Sequence, residues 1–239
     1  MKTLKVLVAF VAAIALTSCN FDIRFGQVNG NGNVLTEERP VSNFTAVRGS
    51  AGIDVYLTEG TENKVVVEAD ENLMEIIETY VDGNTLKITS NTSIGHCKAK
   101  KVYVTYENLE SIEASSGADV IGNSVIKSET LSLESSSGAD LEVEVFAKEI
   151  YANTSSGADL KVSGTANRLV AEASSGSDLK ARQLEVISCK ASASSGADIT
   201  VNVKEDIDAS ASSGGDVKYF GNPSDVSVKD SQSGNVRKM

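Results

Sequence analysis

Six aspartates recur at nearly even intervals: Asp119, Asp140, Asp159, Asp178, Asp198 and Asp216, with spacings of 21, 19, 19, 20 and 18 residues. Each closes a motif Ser-Ser-Gly-small-Asp, as in "SSSGAD" (135–140) and "ASSGAD" (193–198). A column of carboxylates admits three kinds of chemistry. Pairs could serve as acid and base on a glycosidic bond, neighbours could share a divalent cation, or the column could be a solvated ridge with no ligand. An active site should break a repeat, because its carboxylates need different surroundings to do different jobs. The six surroundings here are nearly identical, so no residue is assigned a catalytic role and the chain is read as a non-enzyme. Calcium-binding solenoids place Asp-rich corners about nine residues apart. One Asp in each unit of roughly 20 residues supplies too few oxygens for an ion of its own, so no metal site is assigned. The column is read as a structural ridge. A calcium-binding repeat and a polysaccharide-active enzyme are kept as alternatives.

Other reactive side chains are few. Cys19 ends "LTSC" (16–19), directly after an apolar run from Val6 to Leu16 that follows Lys2 and Lys5. A charged start, a short apolar stretch and small residues describe a secretory signal. Eleven apolar residues are too few for a membrane-spanning helix, which needs about 20. The stretch resembles a lipoprotein signal with its lipobox, which implies cleavage before Cys19 and lipid attachment to its thiol. Residues 1–18 are thus a signal peptide and 19–34 an anchor or tether. Cys97 and Cys189 are read as two small buried thiols rather than a disulfide. His96 and Cys97 are adjacent, so in a strand they point to opposite faces and make a poor metal site.

The elements that position the aspartates can be read column by column. One residue after each Asp stand Val120, Leu141, Leu160, Leu179, Ile199 and Val217. Seven before stand Ile112, Leu133, Ala152, Ala171, Ala191 and Ala209; five before stand Ala114, Ser135, Thr154, Ala173, Ala193 and Ala211. Odd offsets are apolar or small, and even offsets carry Ser, Gly, Asp, Lys and Glu. Alternation at period two means strands with one buried face. Units near 20 residues with short returns stack as rungs of a parallel β-solenoid. Ser-Ser-Gly is the corner: Gly tolerates unusual dihedrals, and Ser hydroxyls are expected to satisfy backbone groups there. Small inward residues imply a narrow coil.

The aspartates share the outward parity. Stacked rungs lie about 4.8 Å apart, and two carboxylates at ~5 Å repel by about 0.8 kcal/mol in water. Lys161, Lys180 and Lys218, two residues after their aspartates, and backbone N–H groups at the corner are expected to offset that repulsion.

Residues 35–108 are less regular than the repeats of 109–239. "FTAVRGSAGIDVYLTEG" (44–60) and "NKVVVEAD" (63–70) alternate like strands, and "YVDGNTLKIT" (80–89) signals a hairpin. Residues 71–79 are expected to hold a helical turn or two. "SAGIDVYL" (50–57) reads as a degenerate corner and "SGNVRKM" (233–239) as a terminal, incomplete one. The whole is one all-β body. The formal charge of -11 would repel a phosphate backbone and excludes nucleic acid as a partner.

"GNGNVLTEERPVSNFTAVRGSAGIDVYLTEG" (30–60), "VVVEADENLMEIIETYVDGNTLKI" (65–88) and the tandem SSGAD units together resemble the auto-transporter adhesins with a head GIN domain. These are abundant as lipoproteins in Bacteroidetes-type bacteria. In the Gly-Ile-Asn signature this chain has Gly52-Ile53-Asp54, Asp replacing Asn. The resemblance implies a right-handed parallel β-helix-like solenoid over 35–239 and a role in adhesion, with no catalytic residues and no cofactor. The expected protein is a non-catalytic, lipid-anchored envelope protein of the outer membrane. Its partners would be the membrane, through its lipid, and a surface glycan or protein.

Overall fold

The computed structural model describes residues 26–231 and 233–239. The expected signal peptide (1–18) and Cys19 lie outside the described residues.

The repeats build the solenoid. Strands β1 (Val34–Arg39), β2 (Ala46–Gly49), β3 (Asp54–Glu59), β4 (Lys64–Asp70), β5 (Ile77–Asp82), β6 (Thr85–Ser90), β7 (Lys100–Tyr106), β8 (Ser111–Ala114) and β9 (Asp119–Gly122) form its front. Then come β10 (Ile126–Ser135), β11 (Asp140–Thr154), β12 (Asp159–Ala173), β13 (Asp178–Ala193) and β14 (Asp198–Ala211), each running from one corner to the next or nearly so. The last are β15 (Asp216–Gly221), β16 (Asp225–Asp230) and β17 (Asn235–Lys238). Strands β10 to β14 pair in parallel, each with the next. The result is a β-solenoid of about seven turns.

Burial follows the predicted parity. In β11, Leu141, Val143, Val145 and Ala147 face inward, then Ile150, Ala152 and Thr154. The three-residue step between Ala147 and Ile150 is a second bend, where the strand turns onto the opposite wall without ending. The buried columns run on from rung to rung: Leu141 beside Leu160, Ile150 beside Leu169, Ala152 beside Ala171. Ala171, Ala173, Ala191, Ala193, Ala209 and Ala211 are all buried, which is why small residues dominate the wall before the corner.

The front departs from sequence order. The rung of β6 and β7 stacks under β2 and β3, which in turn stack under β8 and β9. The end of the coil is closed by antiparallel strands: β4 on β7, β1 on β4, and β5 on β6 through the hairpin predicted at Asp82–Thr85. The outermost strand, β1, carries Glu37, Glu38 and Arg39 and is followed by Pro40. Charges and a proline blunt an edge that would otherwise template further strands. Only a single 3₁₀ turn, Glu71–Leu73, stands where helical turns were expected over 71–79, and Ile77 already begins β5.

Asp70 ties the front together. It is fully buried, and its carboxylate accepts N–H bonds from Gly32 (2.8 Å), Ala99 (2.9 Å) and Lys98 (3.1 Å). Burial alone would raise its pKa, but the three donors and the Lys98 charge hold it below the ordinary value. Val28 bridges Ile94, so within the stretch expected as tether the chain is already held against the body.

Candidate functional site

Each Ser-Ser-Gly corner is a two-residue turn with both central residues left-handed. Ser156 has φ 55° and Gly157 φ 69°, and the N–H of Ala158 donates to the carbonyl of Ser155 at 3.3 Å. Two positive φ values in succession define a type I′ turn. The second serine of every repeat adopts φ between 50° and 56°, a conformation that residues with a Cβ seldom take. Ala51 and Gly52 (φ 61° and 70°) repeat the geometry in "SAGID", as the degenerate corner predicted.

The corners stack through the main chain. The N–H of Gly138 donates to the carbonyl of Ser156, that of Gly157 to Ser175 and that of Gly176 to Ser195, each at 3.1 Å. The first serine's N–H donates to the preceding rung, as Ser174 does to Thr154 at 3.0 Å. This corrects the expectation that the corner serine hydroxyls serve the backbone: among the described residues none of the repeat corners' Ser-Ser pairs does so. The hydroxyls that do are inward. Ser135 Oγ donates to the Ala139 carbonyl (2.8 Å), Thr154 Oγ1 to Ala158 (3.1 Å) and Ser177 Oγ to Ser174 (2.8 Å). The small residue of the motif also points inward. A Cβ at Gly215 would lie 2.7 Å from the Ala193 carbonyl carbon, so the interior there admits nothing large.

Past the corner, the aspartates align in register: Asp54, Asp119, Asp140, Asp159, Asp178, Asp198 and Asp216, ending in Asn235. The column faces solvent, as parity predicted. Its charges are not handled uniformly. Lys180 Nζ lies 3.1 Å from Asp159 and 3.4 Å from Asp178; Lys218 lies 3.0 Å from Asp198; Arg237 lies 3.6 Å from Asp216. Lysines therefore reach mainly to the preceding rung. Lys161 does not serve the column: it pairs with Glu142 at 2.6 Å, its lateral neighbour in the sheet. Nor, among the described residues, does any corner N–H donate to a carboxylate of the column.

Asp119 and Asp140 are left as adjacent carboxylates with no ion pair among the described residues. Burial raises the pKa of Asp119, Asp54 adds to the rise, and Lys100 opposes it. Asp140 is raised by burial, then by Asp119 and Asp159, against the pull of Lys180. Among the described residues no three His, Cys, Asp or Glu side chains are grouped as metal ligands would be. Cys97 and Cys189 are both free. Cys189 is buried in the column between Leu169 and Ile207, with its thiol pushed up to about 12 by burial. Cys97 is only half-buried, because it sits in the loop before β7 and not on a repeat wall.

The architecture is a parallel β-solenoid that carries a stacked, partly neutralised acidic ladder on one wall. The chain belongs to the family described as "Putative auto-transporter adhesin, head GIN domain", whose model matches residues 43–223. Several solved structures share the fold, among them these three. A "putative adhesin" from Bacteroides fragilis NCTC 9343 is 22% identical with a TM-score of 0.83, covering 89% of this chain and 100% of that one. A "putative lipid binding protein" from Parabacteroides distasonis ATCC 8503 is 20% identical with a TM-score of 0.71, covering 89% and 99%. A "putative adhesin" from Parabacteroides merdae ATCC 43184 is 17% identical with a TM-score of 0.68, covering 90% and 99%. No curated protein sequence matches the chain.

Proposed function

We propose that the protein is a non-catalytic adhesin, held to the outer membrane by lipid on Cys19 and presenting its solenoid to a surface partner. The observation that carries this reading is the match of an adhesin family to the solenoid body directly behind a lipobox-like "LTSC" (16–19). The aspartate column supports the non-catalytic part. Its members occupy equivalent turns, and Asp159, Asp178, Asp198 and Asp216 are engaged by cationic side chains.

Cys19→Ala tests the anchor. The variant should lose fatty-acid labelling and leave the membrane fraction, while protease added to intact cells should cleave the wild-type protein. Labelling that survives the substitution overturns the anchor. Wild-type protein that resists shaving on intact cells, but not after lysis, places the solenoid on the periplasmic side and overturns surface presentation.

A further inference from the structure

The wall opposite the Ser-Ser-Gly corners carries a groove of about 1200 Å³. It runs along the coil axis across the second bends of successive rungs, on the order of 20 Å at about 4.8 Å per rung. Its floor is apolar and small: Leu109, Ala147, Ala166 and Val186 are all buried. Phe146 and Ile187 stand along it, and Phe146 is 64% exposed. The same lining carries uncharged polar groups, Asn108, Thr130, Thr165 and Asn167.

Two independent features mark this groove as a ligand site. First, the repeat lapses here. In register with Phe146 stand Lys127, Thr165, Glu185 and Asn202, while the same rungs keep Asp at every corner. The bend needs no phenyl ring, and its neighbours in the column show that polar residues serve the fold equally well. An exposed ring of that size is kept at the expense of solvation. Second, the charges of the groove balance, with Lys127, Lys148 and Lys204 standing against Glu110, Glu129 and Glu185. Lys204 pairs with Glu185 (2.6 Å), Lys127 with Glu59 (3.0 Å) and Lys148 with Glu129; Glu110 accepts from Thr45 Oγ1 (3.2 Å). On a chain of net charge -11 this strip is locally neutral.

An apolar floor, one aromatic platform, hydroxyl and amide groups and a balanced charge suit a ligand that is linear, uncharged and rich in hydroxyls. Its C–H faces would stack on Phe146 while its hydroxyls meet Asn and Thr side chains. We propose that this groove binds a neutral, linear oligosaccharide, with Phe146 as its stacking platform. The proposal rests on the adhesin reading and names the surface by which adhesion occurs.

The test uses the full-length protein in detergent on an array of immobilised linear oligosaccharides: neutral β-glucans, mannans and xylans beside sulfated and sialylated chains. Binding to a neutral class is expected, and it should change little with salt, because the ligand carries no charge. Phe146→Ala should weaken it about tenfold or more, and Phe146→Trp should retain it. Tyr151→Ala, which removes an exposed ring outside the groove lining, should leave it unchanged. Absence of binding to any neutral chain, binding confined to anionic chains, or equal binding by Phe146→Ala overturns the proposal. Capture of peptides in place of glycans, with the same Phe146 dependence, overturns the ligand class. A parallel adhesion assay keeps the two readings apart. Cells carrying Phe146→Ala that still adhere sink the groove but not the adhesin. Cells lacking the protein that adhere as well as wild type sink the adhesin, whatever the array shows.

Discussion

Replacing Asp140 by Asn should stabilise the protein, and the ladder's geometry sets the size of the gain. Asp140 sits in register between Asp119 and Asp159. Two unit charges about 5 Å apart repel by about 0.8 kcal/mol in water. Physiological salt, with a screening length of about 8 Å, roughly halves that. Asp159 is already engaged by Lys180 at 3.1 Å, so Asp119 supplies most of the repulsion. The expected gain is about 0.5 kcal/mol at physiological salt and about 1 kcal/mol at low salt. That corresponds to a rise in Tm of about 1–4 °C for a chain of this size.

The pH dependence follows from the raised carboxyl of Asp140. Between the unfolded and folded pKa values the native state binds more protons than the unfolded chain. Wild-type stability therefore falls as pH rises through that window, and the penalty is complete above the folded value. Below the unfolded value of about 3.9 both states are protonated, and the advantage of Asn disappears. Thermal melts of wild type and Asp140→Asn at neutral and acid pH, each at low and high salt, measure this. Asp198→Asn is the control: it loses its pair with Lys218 and should be neutral or slightly destabilised. A destabilised Asp140→Asn, a gain that grows with salt, or an equal gain at Asp198 would refute the argument. A calcium-dependent rise in the wild-type Tm, lost in Asp140→Asn, would make the column a cation site.

At the corner, Ser156→Asn should be neutral or stabilising in urea melts, because Asn tolerates the left-handed region, while Ser156→Val should cost on the order of 1–3 kcal/mol. Deleting Asp159 through Ser177 joins Ala158 to Asp178, an equivalent step in the next rung; this variant should keep its far-UV spectrum and cooperative melt, whereas deleting half of that span should expose the buried face and lose both. Asp70→Ala strands the N–H groups of Gly32, Lys98 and Ala99 and should lower Tm clearly. Because the pKa of Asp70 is lowered in the fold, wild-type stability should decline as pH falls through that value, while the variant lacks that part of the acid dependence.

The repeat half of this fold was legible because it states the same thing six times. Period-two alternation names the buried face, and near-identical units name their own neighbours. The front half lacked that second signal. Alternation in β2, β3, β6 and β7 marks strands but not partners, and nothing in it tells that the later pair stacks beneath the earlier one. The misread details have one cause. Spacing along the chain gives the serine hydroxyls and Lys161 local partners, whereas a solenoid's nearest groups lie across the chain. Residues two apart on a strand are separated by about 6.6 Å, but the lateral neighbour is about 4.8 Å away. Lys161 has an acid, Glu142, in that lateral place and takes it. Lys180 and Lys218 have Lys161, Thr200 and Arg237 beside them, and so reach diagonally to Asp159 and Asp198.

What repeats in the sequence does not mark the groove. The left-handed corner permits few residues, so it is written alike in every rung, and its aspartates draw notice as a site. The second bend needs only an inward small residue, Ala147, Ala166 or Val186, and leaves its outward partner free. Freedom of that kind lets an exposed Phe146 arise beside Thr165 and Lys127 without harm to the coil. In this coil, the identical Ser-Gly column reports what the left-handed turn demands, and the column that varies is where a ligand can be accommodated.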